Sequence, residues 1–159
     1  MKAVWPATVG AVVLVSGAAS ASNVSGHAAY APGLSIGYAH GFRHQLDAGV
    51  IVDLGNRQKA SEGTWSHTSG LLLGGAASTA FAAAPTYGFV EAGWGTDTTL
   101  AGLGFVGGPA LRFADVMGGG VTGRVAADFY FVQVGIRITA VFIGEREGQA
   151  CLTVGIGRF

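Results

Sequence analysis

Alternation with a period of two restricts this chain more than any other feature. Leu34, Ile36, Tyr38, His40 and Phe42 share one parity, while Ser35, Gly37, Ala39 and Gly41 share the other. Successive strand side chains point to opposite faces, so the pattern predicts a strand with one large apolar face and one small face. After the polar turn Arg43-His44-Gln45 the alternation resumes. Leu46, Ala48, Val50, Val52 and Leu54 then oppose Asp47, Gly49, Ile51 and Asp53. The two segments read as a hairpin.

The same reading continues along the chain. Residues 55–66 are polar and without period, which predicts a long loop. Strands are expected from His67 to Phe81, from Tyr87 to Thr96 and from Thr99 to Phe113. In the last of these, Leu103, Phe105, Leu111 and Phe113 oppose Gly102, Gly104, Val106, Gly108, Ala110 and Arg112. Residues 117–120 read as a turn. Residues 121–143 are strand-like throughout but change phase near Phe131 and Val132, which fits either a hairpin or one long strand with a bulge. A polar loop is expected over residues 145–149, and a closing strand from Cys151 to Phe159. An earlier strand begins at Val24 if Ala31-Pro32-Gly33 is a turn, and the long loop then falls on the opposite side from the N-terminus.

Composition says what such strands must face. Half the chain is apolar and 28 residues are glycine, whereas 11% are charged, well below the ~25% of an ordinary soluble domain. Beyond the first residues no apolar run reaches the ~18 that a spanning helix requires. Backbone polar groups in lipid must pair internally, which leaves a closed antiparallel barrel as the membrane solution. Spanning strands of ~9–11 residues make about eight strands fit, and ten would leave almost no loops. Eight strands enclose an interior just wide enough for side chains, so an open pore is not expected.

The N-terminus reads as a secretory leader. Lys2 precedes the apolar run from Val9 to Val15, and Ala19 and Ala21 supply the small residues of a cleavage site. Cleavage after Ala21 removes residues 1–21 and leaves one domain over residues 22–159. Net charge is zero and Lys2 and Lys59 are the only lysines, so nothing points to nucleic acid. Cys151 is the single cysteine, which excludes an internal disulfide and suits a small apolar filler.

Leader, alternating strands of about ten residues, and the ending Thr153-Val154-Gly155-Ile156-Gly157-Arg158-Phe159 resemble the small outer-membrane β-barrel proteins of Gram-negative bacteria. That resemblance implies outer-membrane lipid as the surroundings, and recognition of the C-terminal strand ending at Phe159 by the barrel-insertion machinery. One departure stands out. Leu152, Val154 and Ile156 share parity with Arg158, not with Phe159, which calls for either a bulge near Gly157 or an imperfect terminal signal.

Asp47, Asp53, Arg112, Arg124, Asp128 and Arg137 fall on parities that face the interior, where charges pair to fill space that lipid cannot solvate. Arg112 and Arg137 are the candidate partners for Asp128 and its neighbours. His67 and Ser69, two apart on a strand, could set an imidazole beside a hydroxyl. They loosely resemble the His-x-Ser element of outer-membrane lipid A deacylases, although Gly70 replaces that family's asparagine and no acidic orienter is assigned, Glu91 being only a candidate. Gly102 to Gly107 matches a dinucleotide fingerprint without the helix it needs. The sequon at Asn23 carries little weight. No catalytic, metal-binding or cofactor-binding residues are assigned, and no cofactor is expected.

Tyr38, Phe42, Tyr87, Phe89, Trp94, Phe113, Phe129, Tyr130, Phe142 and Phe159 are read as outward aromatics, forming girdles at two lipid interfaces. The rival is a secreted soluble barrel with these rings turned inward around an apolar ligand. It requires a charged opposite face, but Ser35, Gly37, Gly102 and Gly104 are small and uncharged. The expectation is an eight-stranded up-and-down outer-membrane barrel with a structural or surface role through its loops.

Overall fold

The computed structural model describes residues 24–38, 40–54, 68–81, 85–98 and 100–157. The leader, Asn23, the polar segment 55–66, His67 and Phe159 lie outside these residues. Ten segments form one sheet that closes on itself: β1 (Val24–Tyr30), β2 (Gly33–Gly37), β3 (Gly41–Arg43), β4 (Gln45–Asp53), β5 (Thr68–Ala80), β6 (Thr86–Asp97), β7 (Ala101–Phe113), β8 (Gly118–Phe129), β9 (Val132–Ile143) and β10 (Glu147–Gly157). Every pairing is antiparallel, and β1 closes the ring by pairing with both β4 and β10.

These segments make eight staves. Tyr30 pairs with Leu46 and Gly33 with Arg43, so β1 and β2 meet β4 and β3 in one unbroken register. The interruption falls at Ala31 and Pro32, where proline has no N–H to give the ladder. Ala31-Pro32-Gly33 is therefore not the turn expected from the sequence. The first stave runs straight through it, and the chain reverses between Gly37 and Gly41 instead. This correction moves the long polar connection: the chain leaves at Leu54 and returns at Thr68 beside Val24 and Gly157, the end that carries both described termini.

The phase change near Phe131 is a hairpin. Phe129 pairs with Val132, and Tyr130 takes the left-handed conformation (φ 58°) that a two-residue turn requires. A bulge exists elsewhere: Gly119 faces Ile143 and Gly120 faces Val141, leaving Phe142 as the extra residue. Residues 145–149 are mostly strand, since β10 begins at Glu147, and β8 begins at Gly118 within the expected turn. The register between β1 and β10 stays constant through His27 and Gly157, so no bulge precedes Gly157, which itself has φ 148°.

Following ladder partners around the barrel gives its stagger. The row passes from His27 through Gly49, Ala76, Phe89, Ala110, Gly120, Val141 and Glu147, and returns at Gly37, ten residues beyond its start. Eight staves with this stagger tilt by ~35–45° and enclose a side-chain-filled interior.

Candidate functional site

The interior is the charged part of the barrel. His27, Gln45, Asp47, Glu91, Arg112, Arg124, Asp128, Gln133, Arg137, Glu147 and Gln149 are all buried. Outside, Leu34, Ile36, Leu103, Phe105, Val125, Ile136, Ile138, Val154 and Ile156 are exposed. Among the described residues, no outward strand position carries Asp, Glu, Lys or Arg.

Arg137, on β9, is the central brace. Its Nε donates to Asp47 Oδ2 at 2.6 Å and its Nη2 to Asp47 Oδ1 at 3.3 Å, while Nη1 reaches Glu91 across the barrel. His27 lies 3.3 Å from the same Asp47 carboxylate, and the Phe89 ring stacks 4.2 Å from the guanidinium. A planar fork suits this position, because one arginine links carboxylates from two different staves. Arg124 Nη1 donates to Gln133 at 3.4 Å. Thr122 and Thr139 meet nearby at 3.2 Å.

A second brace lies toward the end opposite the termini. Tyr87 donates to Glu147 Oε1 at 2.7 Å, and Arg112 Nη1 meets Glu147 Oε2 at 3.1 Å. Arg112 also donates to the backbone of Glu145 and Val116 at 3.0 and 3.3 Å, and lies 4.2 Å from the Tyr38 ring. One side chain thus ties together three turns at that end. Toward the termini the interior changes character, with Ile51, Leu72, Val106 and Ala126 forming an apolar layer.

Glycine makes room for these side chains. A Cβ on Gly49 would stand 2.7 Å from the His27 ring, and one on Gly102 would stand 2.5 Å from Asp128 Oδ2. Large interior groups lie over glycines on the neighbouring stave, which accounts for part of the chain's glycine content.

Of the residues singled out from sequence, Asp47, Arg112, Arg124, Asp128 and Arg137 are brought inside. Asp53 is only partly covered at the terminal end. Arg137 pairs with Asp47 and Glu91, and Arg112 pairs with Glu147 near the opposite end from Asp128. Glu91, the acid considered as an orienter for His67 and Ser69, is committed to Arg137 and pairs across the ladder with Gly74. The side chain of Ser69 lies outside the described residues. Gly102 to Gly107 is plain strand within β7. Cys151 is a buried free thiol.

Tyr87 and Phe89 correct the aromatic assignment, since both turn inward and are buried. Tyr38, Phe42, Trp94, Phe113, Phe129, Tyr130 and Phe142 are exposed as expected. Sequence reasoning missed His27, Gln45, Tyr87, Glu147 and Gln149 as interior residues. Parity held the signal: His27 is in phase with Ser35, and Glu147 and Gln149 are in phase with Cys151. Comparison with protein-family models, with curated proteins and with solved structures returns no match.

Proposed function

We propose that this chain is an outer-membrane β-barrel protein with a structural or surface role exerted through its loops, and that it is not an open pore. The observation that carries this reading is the inversion of the barrel, with ion pairs inside and an uncharged apolar wall outside. A soluble barrel places its apolar side chains inward and its charges toward water. Here the wall of β9 alone exposes Val132, Val134, Ile136, Ile138 and Phe142. From Val132 to Phe142 at ~3.3 Å per residue and ~40° of tilt, this band is about 25 Å tall, the height of an outer-membrane barrel's apolar belt. Aromatics stand toward both margins, Trp94 and Phe129 near the terminal end and Phe42, Phe81 and Phe113 near the other.

Interior packing supports the absence of a pore, since Arg137 spans from Asp47 to Glu91 and the apolar layer around Leu72 lies beneath. With no through-passage, function falls to the ends. The short connections from β2 to β3, β7 to β8 and β9 to β10 lie at one end, whereas the long connection leaves from the other.

Fractionation of expressing cells tests the reading. The protein should sediment with outer membranes and migrate at different apparent sizes before and after boiling. Recovery in the soluble periplasm with a single migration would overturn it.

A further inference from the structure

The interior beyond Asp47, toward the end opposite the termini, carries more donors than acceptors. Asp47, Ser78, Tyr87, Arg112 and Gly118 are successive ladder partners, so their inward side chains are neighbours around the wall. Gln45 accepts from Ser78 through Oε1 at 2.7 Å, which leaves its Nε2 with no acceptor. Arg112 uses both terminal nitrogens on Glu147 and two backbone carbonyls, and its Nε has none. Arg43, on the same inward parity as Gln45, likewise has a solvent-shielded Nη1 without a partner. Gln45 and Arg112 are 1% and 0% exposed. Buried donors in native proteins almost always have acceptors, so three in one compartment call for something to fill it.

Charge narrows what that is. Lower in the barrel the carboxylates Asp47, Glu91 and Asp128 stand with Arg137 and Arg124, so acids are not in short supply there. In the upper compartment Arg43 and Arg112 face the single carboxylate of Glu147, which already accepts from Tyr87 and Arg112. One positive charge is in excess there. Asp115, Glu145 and Arg146 sit on exposed turns, where solvent and salt screen them. Water could accept from the three donors but could not neutralise the surplus charge.

We propose that this compartment is a binding site for a small oxyanion of the phosphate or carboxylate class, held by Arg43, Gln45 and the Nε of Arg112. The site belongs to the barrel interior and does not depend on what surrounds the wall. Charge-assisted donors from arginine are the usual means of holding such oxygens.

The test uses the full chain folded in neutral detergent, with inorganic phosphate titrated at constant ionic strength and the thermal unfolding midpoint followed by circular dichroism. A saturable upward shift is expected for the wild type. Arg43→Gln should weaken apparent affinity by about tenfold or more, Gln45→Leu should also weaken it, and Arg146→Gln on the rim should leave it unchanged. No saturable shift, or equal shifts in wild type and both interior variants, would overturn the site. Vesicles of phosphatidylcholine with and without phosphatidylglycerol then separate two sources. Loss of the phosphate effect with phosphatidylglycerol identifies a lipid headgroup as occupant, and its persistence identifies the free anion.

Discussion

The wall and the interior of this barrel are chemically opposite within a single strand. On β9, Ile136 and Ile138 are 55% and 60% exposed, and Arg137 between them is 1% exposed and bonded to two carboxylates. A step of one residue crosses from an uncharged surface to a network of ions. Each side chain takes its role from parity, and among the described residues the wall carries no Asp, Glu, Lys or Arg where the interior carries several. The comparison can be broken at several points, and the costs should fall in a definite order.

Removing the central brace should cost most. Arg137→Leu strands Asp47 and Glu91 in the interior, and breaking a buried pair in this way costs ~3–5 kcal/mol. Denaturant titration of the chain folded into lipid vesicles measures it. Replacing all three, Arg137, Asp47 and Glu91, with leucine removes the stranded charges and should recover part of the loss. If the triple variant is no better than the single one, the network matters for more than charge balance.

The next largest effect concerns the wall. Val50 lies on the outward parity of β4, while Asp53 lies on the inward parity near its end. Arginine at Val50 should cost ~2–4 kcal/mol if lipid covers it near mid-height. Arginine at Asp53 should cost less, because that position already suits a charge near the barrel end. Equal costs in vesicles would mean that lipid does not distinguish the two faces, and the membrane reading would give way to the soluble one.

How far these faces were legible depends on the strand. Where one parity holds mainly small residues, as in the segment around Ser35 and Gly37 or in β7, the sequence alone assigns the faces correctly. In β6 it cannot, because Tyr87 and Phe89 lie on one parity and Val90 and Trp94 on the other, with glycines on both. The deciding fact is tertiary: Tyr87 finds Glu147 sixty residues away, and Phe89 finds Arg137. Glu147 and Gln149 were hidden for a related reason. Two polar residues beside Glu145 and Arg146 look like loop, and only the β9 and β2 partners on either side make them strand. The first stave misleads through Pro32, since proline signals a turn locally but is tolerated where two neighbouring staves hold the register across it. No parity argument could have foreseen that Arg137 bridges Asp47 and Glu91, because it requires the barrel to be closed.

The smallest expected effect compares one interaction at two depths. Arg137 lies 4.2 Å from the Phe89 ring deep in the interior, and Arg112 lies the same 4.2 Å from the Tyr38 ring at the rim. Geometry is matched, so any difference in energy reports the surroundings. Attraction between a guanidinium and an aromatic face runs from ~0.5–1 kcal/mol at exposed sites to ~2 kcal/mol or more where water is excluded. Phe89 is 4% exposed, and Tyr38 is 36% exposed on the turn between β2 and β3. Tyr38→Leu should therefore cost no more than ~1 kcal/mol, and Tyr38→Phe should cost less still because the face of the ring is kept. Phe89→Leu should cost more than Tyr38→Leu, and part of that excess is lost packing within the cluster of Ala76, Tyr87, Ala110 and Val141. Pairing each ring variant with the matching Arg→Met change in a double-mutant cycle removes the packing contribution. Coupling larger at Phe89 than at Tyr38 sharpens the contrast between a ring inside the barrel and one partly exposed at its end. Equal coupling would mean that exposure of the Tyr38 ring does not weaken its attraction for Arg112, since both guanidinium groups are themselves buried.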